Sequence, residues 1–257
     1  TLMYSTPLIF AALGGVFSEN SGIVNIGIEG MMTIGAFAGA AAGYMLGNPW
    51  LAFIIGGLAG GLFALVHALA TVTFNADHTI SGVAINLLAP GVALFASKIM
   101  FDGATMTPTI PMEQKIPRPL NGLFPSGSIL DTIFNAYATV FIAFILVAVT
   151  WYVLYKTKFG LRIRAVGEHP GAADTLGISV AKTRYAAVII SGILAGLGGA
   201  SMSLAVVSSF RPTLISGHGY IAMAAVIFGK WRPQWAMAAC LLFGFSTALS
   251  VYLSLIH

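Results

Sequence analysis

Two short polar stretches interrupt an otherwise apolar chain, and they carry side chains that could bind a polar solute. The first runs from residue 18 to 30 (SENSGIVNIGIEG) and the second from residue 208 to 220 (SSFRPTLISGHGY). Their hydroxyls, amides and carboxylates donate and accept hydrogen bonds, so the chemistry they favour is recognition rather than catalysis. Together with one asparagine in a neighbouring apolar segment, the candidate pathway residues are Ser18, Glu19, Asn20, Asn25, Glu29, Asn86, Ser208, Ser209 and His218.

The position of these stretches predicts broken membrane helices. Interruptions of hydrophobic segments in corresponding halves of a chain indicate a transport site, and non-helical backbone at membrane depth is tolerated where it is buried or lines a cavity. Two alternatives stay open. In one, Ser21 and Asn25 only cap a helix, and the glutamates lie at an interface. In the other, Glu19, Glu29 or His67 relays protons in a secondary transporter.

Motifs for covalent or metal chemistry are missing from the sequence. It contains no G-x-x-x-x-G-K-[ST] phosphate loop, no G-x-S-x-G or H-E-x-x-H motif, and no His/Cys cluster with metal-ligand spacing. We therefore predict that the chain is not an enzyme and has no catalytic residue, metal site or cofactor. Any ATP hydrolysis that drives it is expected on a separate chain.

Composition predicts an all-α, polytopic membrane protein. Hydrophobic residues make up 58% of the sequence and charged residues 8%, against about 25% charged in soluble domains, and the mean hydropathy is +0.91. We expect one transmembrane domain over residues 1–257, with about eight membrane segments including two broken or re-entrant regions. Because apolar segments stand at both ends of the sequence, we also expect it to be clipped.

The basic stretch at residues 156–184 sets the orientation in the membrane. It holds six of the twelve Lys and Arg residues, and such an excess marks the cytoplasmic side. This topology explains the net charge of +4 without a nucleic-acid partner. Counting segments back from this loop places the long loop at 102–132, which contains five prolines, outside the cell. A second basic pair, Lys230 and Arg232, then lies inside.

A short helix is predicted within the basic loop. Pro170 is suited to the first position of a helix and Gly177 to its end, and the two turns between them are too short to be stable without packing on something. A partner could dock on this helix, or the segment could be an ordinary loop between helices. Elsewhere, Gly35, Gly39 and Gly43 form a stripe with Gly47 at four-residue spacing, which predicts close helix packing.

Four ordered motifs show a family resemblance. They are SENSGIVNIGIEGMMTIGAF, ISGVAINLLAPG, FGLRIRAVGEHPGAADTLGI and GHGYIAMAAVIFGKWRP. Together they resemble the membrane permeases of ABC importers in the branched-chain amino acid and simple-sugar superfamily, and look most like the nucleoside-type subunits. The resemblance implies a multi-pass protein of the bacterial inner membrane that carries a nucleoside or a related polar solute. Simple sugars and branched-chain amino acids are the alternative solutes.

The same resemblance implies a set of partners. Two permease subunits would form the pathway, cytoplasmic ATP-binding subunits would bind the 156–184 loop, and an extracytoplasmic solute-binding lipoprotein would deliver the solute. Importer permeases carry a Glu-Ala-Ala-x-x-x-Gly pattern in this loop, and Ala172, Ala173 and Gly177 match it, with Gly171 in place of the glutamate. The coupling residues that the resemblance implies are Arg162, Arg164, Glu168, Pro170, Ala172, Ala173 and Gly177.

Overall fold

The computed structural model describes residues 1–121 and 135–254, and within these ranges the chain is helical, with no strand. The helices are α1 (Leu2–Asn20), α2 (Ile28–Leu46), α3 (Pro49–Ala68), α4 (His78–Met100), α5 (Ala138–Lys156), α6 (Lys158–Glu168), α7 (Pro170–Thr175), α8 (Val180–Ser201), α9 (His218–Phe228) and α10 (Pro233–Ser254). The all-α prediction is confirmed.

Six described helices are long and apolar enough to cross a membrane: α1, α3, α4, α5, α8 and α10. Helix α3 continues through a π-helical turn at Leu69–Thr73, and α8 continues through another at Met202–Val206. The apolar helices α2 and α9 accompany these six. At 11 residues, α9 is about 16 Å long, half of a ~30 Å hydrocarbon layer. Helix α9 is therefore a half-helix, too short to cross the layer by itself.

Helix α8 is the centre of the bundle and packs against α1, α2 and α3. Glycines permit this close approach, because a Cβ added to Gly35 of α2 would lie 2.4 Å from the Gly196 Cα of α8. Gly39 faces Ala200, and Gly43 faces Leu204. The packing stripe is confirmed at these three positions. Gly47 is different, since it ends α2 in a left-handed conformation with φ of 65°.

Basic residues gather at one end of the bundle. Lys156 and Arg232 line one cavity, and Arg164 and Lys230 line another. These are residues that the sequence assigns to the cytoplasm, and the fold collects them at one end. At the opposite end, Arg118 donates a hydrogen bond of 3.1 Å to the Tyr137 hydroxyl. With the orientation that the sequence predicts, α8 runs outward from the cytoplasm and α1 runs inward, and the names cytoplasmic end and outer end follow this prediction.

The first polar stretch is shorter than the sequence predicts. Ser18, Glu19 and Asn20 form the last turn of α1 at the cytoplasmic end, and the non-helical part covers residues 21–27. This segment turns back into the bundle, because the Asn25 amide donates a hydrogen bond of 2.9 Å to the Ser191 hydroxyl in the middle of α8. Local backbone hydrogen bonds keep α1 helical for one more turn than the apolar pattern indicates.

The second polar stretch also turns back into the bundle, from the outer end. Ser208 has a φ of 71°, which breaks the helix, and its carbonyl accepts a hydrogen bond of 2.8 Å from Ile110 in the outer loop. The chain then reaches Gly217, where α9 begins and runs back towards the cytoplasm. The segments after α1 and α8 thus enter the bundle from opposite ends.

The two long loops differ from each other. In the outer loop, residues 102–121 contain one 3-10 turn at Met112–Gln114, as the prolines suggest, and residues 122–132 of the predicted loop lie outside the described residues. The cytoplasmic region is more ordered than one short helix, because α6 precedes α7. Thr157 caps α6 by accepting a hydrogen bond from the Gly160 amide, and Gly160 lies directly against Val153 and Leu154 of α5.

Candidate functional site

One carboxylate joins the start of α2 to the start of α9. The Glu29 oxygens accept hydrogen bonds from the backbone N–H groups of Gly217 and Gly219, each at 2.6 Å. Helix α9 has no side-chain cap from its own sequence, so Glu29 of another helix supplies it. The partial positive charge at a helix N-terminus stabilises such a carboxylate, and this pairing explains how a glutamate is tolerated inside an apolar bundle.

An asparagine on α4 completes the contact between these helices. The Asn86 carbonyl accepts a hydrogen bond of 2.8 Å from the Gly30 amide in the first turn of α2. Its NH₂ group donates to the Ile26 carbonyl and to the Tyr220 hydroxyl, both at 2.9 Å. The Asn86 side chain therefore connects α4 with α2, with α9 and with the non-helical segment 21–27. We call Glu29, Asn86, Gly217, Gly219 and Tyr220 the half-helix junction.

The half-helix junction is accessible at the surface of the chain. Tyr220 is 49% exposed, and Glu29 and Asn86 are half-buried. The site thus presents an aromatic face, a phenol hydroxyl, an amide and a carboxylate at the depth where two helices begin. Such a set can stack on a ring and form hydrogen bonds with a polar solute. No group of His, Cys, Asp and Glu in the described residues could hold a metal ion.

The structure brings some of the predicted pathway residues to this junction. Glu29 and Asn86 belong to it, and His218 lies between Gly217 and Gly219, with a ring nitrogen against the Ile215 carbonyl. Asn25 lies deeper and is fully buried, with its amide on Ser191. Contact of any of these residues with solute stays a prediction.

The remaining candidates lie at the two ends of the bundle. Ser18 donates a hydrogen bond of 2.6 Å to the Ile23 carbonyl at the cytoplasmic end, and Asn20 donates one of 2.7 Å to Val16. Ser208 and Ser209 follow the outer end of α8. These residues are therefore separated from the half-helix junction. Each polar stretch begins at one end of the bundle and continues into its interior, so its first residues lie far from its last ones.

Glu19 stabilises the turn between α9 and α10, which no sequence motif predicts. Lys230 and Trp231, between α9 and α10, both have left-handed backbones, with φ of 48° and 58°, which is unfavourable for side chains larger than glycine. The Trp231 indole donates a hydrogen bond to the Glu19 carboxylate, and Asn20 donates one of 3.3 Å to the Trp231 carbonyl. The end of α1 thus fixes the turn that follows α9.

The predicted coupling residues form two helices on the cytoplasmic face. Helix α7 begins at Pro170 and the chain turns at Gly177, whose φ is 77°, as the sequence predicts. Ala172 is exposed and Leu176 is 80% exposed. Ala173, in contrast, is buried at 3% exposure. One face of α7 therefore packs on the chain, and the face with Ala172 and Leu176 points to solvent.

The charged coupling residues lie on α6, the helix that precedes α7. The Arg164 guanidinium lies 4.9 Å from the centre of the Tyr155 ring on α5, whereas Arg162 and Glu168 are exposed. Gly167 contacts the Asn20 backbone, since a Cβ at this position would lie 2.2 Å from the Asn20 carbonyl oxygen. Helix α6 therefore connects the exposed α7 with the end of α1.

Comparison with known proteins identifies the family of this chain. The profile described as "Branched-chain amino acid transport system / permease component" matches residues 1–256. The chain belongs to this family. It is a multi-pass permease subunit of an ABC importer in the bacterial inner membrane, and hence a transport component rather than an enzyme. Family membership favours an ATP-driven importer over the proton-driven alternative.

Several relatives match the permease over nearly all of its length. It is 48% identical to the guanosine ABC transporter permease protein NupQ of Bacillus subtilis, covering 100% of this chain and 82% of the relative. It is 45% identical to the nucleoside ABC transporter permease protein NupC of Lactococcus lactis, covering 97% and 80%. A putative glucose ABC transporter permease protein of Haloferax volcanii, TsgC13, is 38% identical over 98% and 75%. No solved structure shows significant similarity.

Sequence reasoning missed two side chains of the permease that the structure places in prominent positions. Tyr220 belongs to the half-helix junction, and Trp231 belongs to the strained turn. A signal for Tyr220 is present, because it is the first aromatic residue after the glycines that open α9. The sequence contains no comparable signal for Trp231, because its partner Glu19 is far away in the sequence.

Proposed function

We propose that this permease carries nucleosides and that the solute passes the half-helix junction. The support is the exposed Tyr220 ring beside the Asn86 amide and the Glu29 carboxylate, together with relatives named for guanosine and nucleoside transport. A nucleoside offers a base that stacks on an aromatic ring and hydroxyls that bond to amides and carboxylates. Arg211, the basic residue of the second polar stretch, is exposed at the outer end and is not part of the half-helix junction. Its charge is therefore not placed to bind an anionic solute there, which favours neutral solutes.

In the proposed cycle the permease pairs with a second permease subunit, and an extracytoplasmic solute-binding lipoprotein loads the pathway from outside. Cytoplasmic ATP-binding subunits dock on the exposed face of α7. Closure of those subunits on ATP moves α7 together with α6, and Gly167 of α6 touches Asn20 at the end of α1. Glu19 and Trp231 then transmit the movement to the turn after α9. The half-helix junction stands at the other end of α9.

Uptake by cells that express the complete transporter tests the solute. We expect labelled guanosine uptake to be competed by unlabelled nucleosides and poorly by a nucleoside monophosphate, whose phosphate would face the Glu29 carboxylate at the half-helix junction. Equal competition by the monophosphate would contradict the proposal. The second candidate solute is a simple sugar, favoured by the similarity to the putative glucose permease of Haloferax volcanii. Uptake of labelled glucose or ribose, with no uptake of labelled guanosine, would support it.

A further inference from the structure

A groove at the cytoplasmic end of α5 and α10 has a polar part and an apolar part. The polar part is a cavity of about 550 Å³ lined by residues that include Lys156, Arg232, Gln234 and Trp235. The apolar part is a neighbouring cavity of about 760 Å³, which shares Arg232 and Trp235 and continues along Ala238 and Leu242. We call the two parts together the cytoplasmic groove.

The polar part of the cytoplasmic groove favours an anion. Lys156, Lys230 and Arg232 line the cytoplasmic groove, and none of its lining residues in the described chain is an aspartate or glutamate. The Lys156 ammonium lies 5.8 Å from the centre of the Trp151 ring, so its charge is held at the edge of the apolar layer. Cations that lack a carboxylate partner in such a place attract a phosphate group.

The apolar part of the cytoplasmic groove runs into the membrane. Trp235, Ala238, Ala239 and Leu242 line it and lie on one face of α10, because residues three, four and seven positions apart share a helix face. Seven residues of helix extend about 10 Å. The small alanines leave room beside the helix, and Trp235 lines both parts of the cytoplasmic groove. Tryptophan is enriched where the apolar layer meets water.

We propose that the cytoplasmic groove binds an anionic phospholipid such as phosphatidylglycerol, with its phosphate at Lys156 and Arg232 and an acyl chain along α10. Basic pockets between membrane helices on the cytoplasmic side bind such headgroups. A second copy of the permease fits less well, since a symmetric contact would bring the same cations together. A soluble subunit could reach the cations but not the apolar part.

Native mass spectrometry of the assembled transporter, purified from bacterial membranes, tests the proposal. We expect wild-type protein to retain phosphatidylglycerol through delipidation and to prefer it over phosphatidylcholine in nanodiscs. In the double variant Lys156→Gln with Arg232→Gln, we expect retention to fall about 25-fold, the effect of two surface cations. The matched control is Lys158→Gln with Lys182→Gln, which removes two exposed cytoplasmic charges that do not line the cytoplasmic groove and should leave retention unchanged.

A second pair of variants tests the apolar part while keeping every charge. Ala238→Trp should fill the channel and reduce lipid retention, whereas Ala84→Trp, at an exposed alanine of α4, should not. Unchanged retention in either groove variant would overturn the proposal. So would displacement of the lipid by millimolar inorganic phosphate, which would indicate a free-anion site. Cross-linking of two copies through Trp235→Cys would identify a protein contact instead and also overturn it.

Discussion

Glu29 and Gly219 are in direct contact, with the carboxylate of the first on the backbone N–H of the second at 2.6 Å. Each residue lies in the first turn of its helix, α2 and α9 respectively. One negative charge therefore faces the partial positive ends of two helices at once. Discontinuous helices that begin near the middle of the membrane are typical of transport sites, and here a glutamate rather than a solute satisfies the free backbone groups.

Glu29→Gln tests how far this contact stabilises the fold. Glutamine keeps one acceptor oxygen but directs an NH₂ group at the other backbone N–H, so we expect the stability to fall by about 1.5–3 kcal/mol, the usual size of a hydrogen bond to a charged group. Thermal unfolding in detergent measures this loss. Glu113→Gln, on an exposed carboxylate of the outer loop, is the control and should change nothing.

The same variant separates a structural role from contact with solute. If Glu29 only joins the two helices, uptake per folded molecule should stay within a few-fold of the wild-type value. A loss of uptake beyond tenfold with an unchanged unfolding temperature would contradict the structural role, and would place this carboxylate in contact with solute.

Gly219→Ala tests the close approach of the two helices. A Cβ at residue 219 would lie 2.6 Å from both the N and the Cα of Glu29, so backbone would have to move and the hydrogen bonds to Glu29 would lengthen. We expect a clear loss of stability and uptake. Gly91→Ala is the matched control within a helix. Its Cβ would meet nothing within 4 Å, and alanine favours a helix over glycine by about 0.5–1 kcal/mol. Equal behaviour of the two variants would contradict this account.

The sequence predicts the membrane segments, their orientation and the short helix at Pro170, because these depend on local patterns of hydrophobicity, charge, proline and glycine. It also predicts Glu29 and Asn86 as candidates, since polar groups in apolar surroundings are conspicuous. Helix α1 ends one turn later than the sequence predicts: Asn20 donates to the Val16 carbonyl within the last turn, and Ser18 donates to the Ile23 carbonyl of the segment that follows. Partners such as Gly219 for Glu29 could not be predicted, since only the fold brings them together.

Leu176→Asp tests docking on α7. Leu176 is 80% exposed, so the variant should fold and reach the membrane, while a new charge on the docking face should reduce solute-stimulated ATP hydrolysis at least about tenfold, as expected when a charge is buried without a partner. The control is Met112→Asp, at a residue 81% exposed on the outer side. Normal stimulation in the Leu176 variant of the assembled complex would rule out this face.

Ala173, unlike Ala172, lies on the buried face of α7. The sequence places it beside Ala172 in the docking pattern, yet its side chain is buried against its own chain. Ala173→Asp would introduce an unpaired charge into that contact, so we expect α7 to lose its fold, visible as faster proteolysis of the cytoplasmic region. Ala172→Asp, on the exposed face, should leave proteolysis unchanged while it impairs stimulation. Equal cleavage of the two variants would contradict this assignment of faces.

Tyr220 offers the most direct test of solute binding at the half-helix junction. Tyr220→Ala removes the exposed ring, and if a base stacks there the loss is about 1–3 kcal/mol, or roughly 5- to 150-fold in affinity. Tyr220→Phe keeps the ring and removes only the hydroxyl that accepts from Asn86, so its uptake should remain close to that of the wild type. Tyr152→Ala, at a residue 58% exposed on α5, controls for the loss of an exposed ring. Concentration-dependent guanosine uptake, normalised to surface protein, distinguishes these cases. Equal effects of Tyr220→Phe and Tyr220→Ala would mean that the hydroxyl and its link to Asn86 matter rather than stacking, and the solute would then have to pass the half-helix junction without resting on this ring.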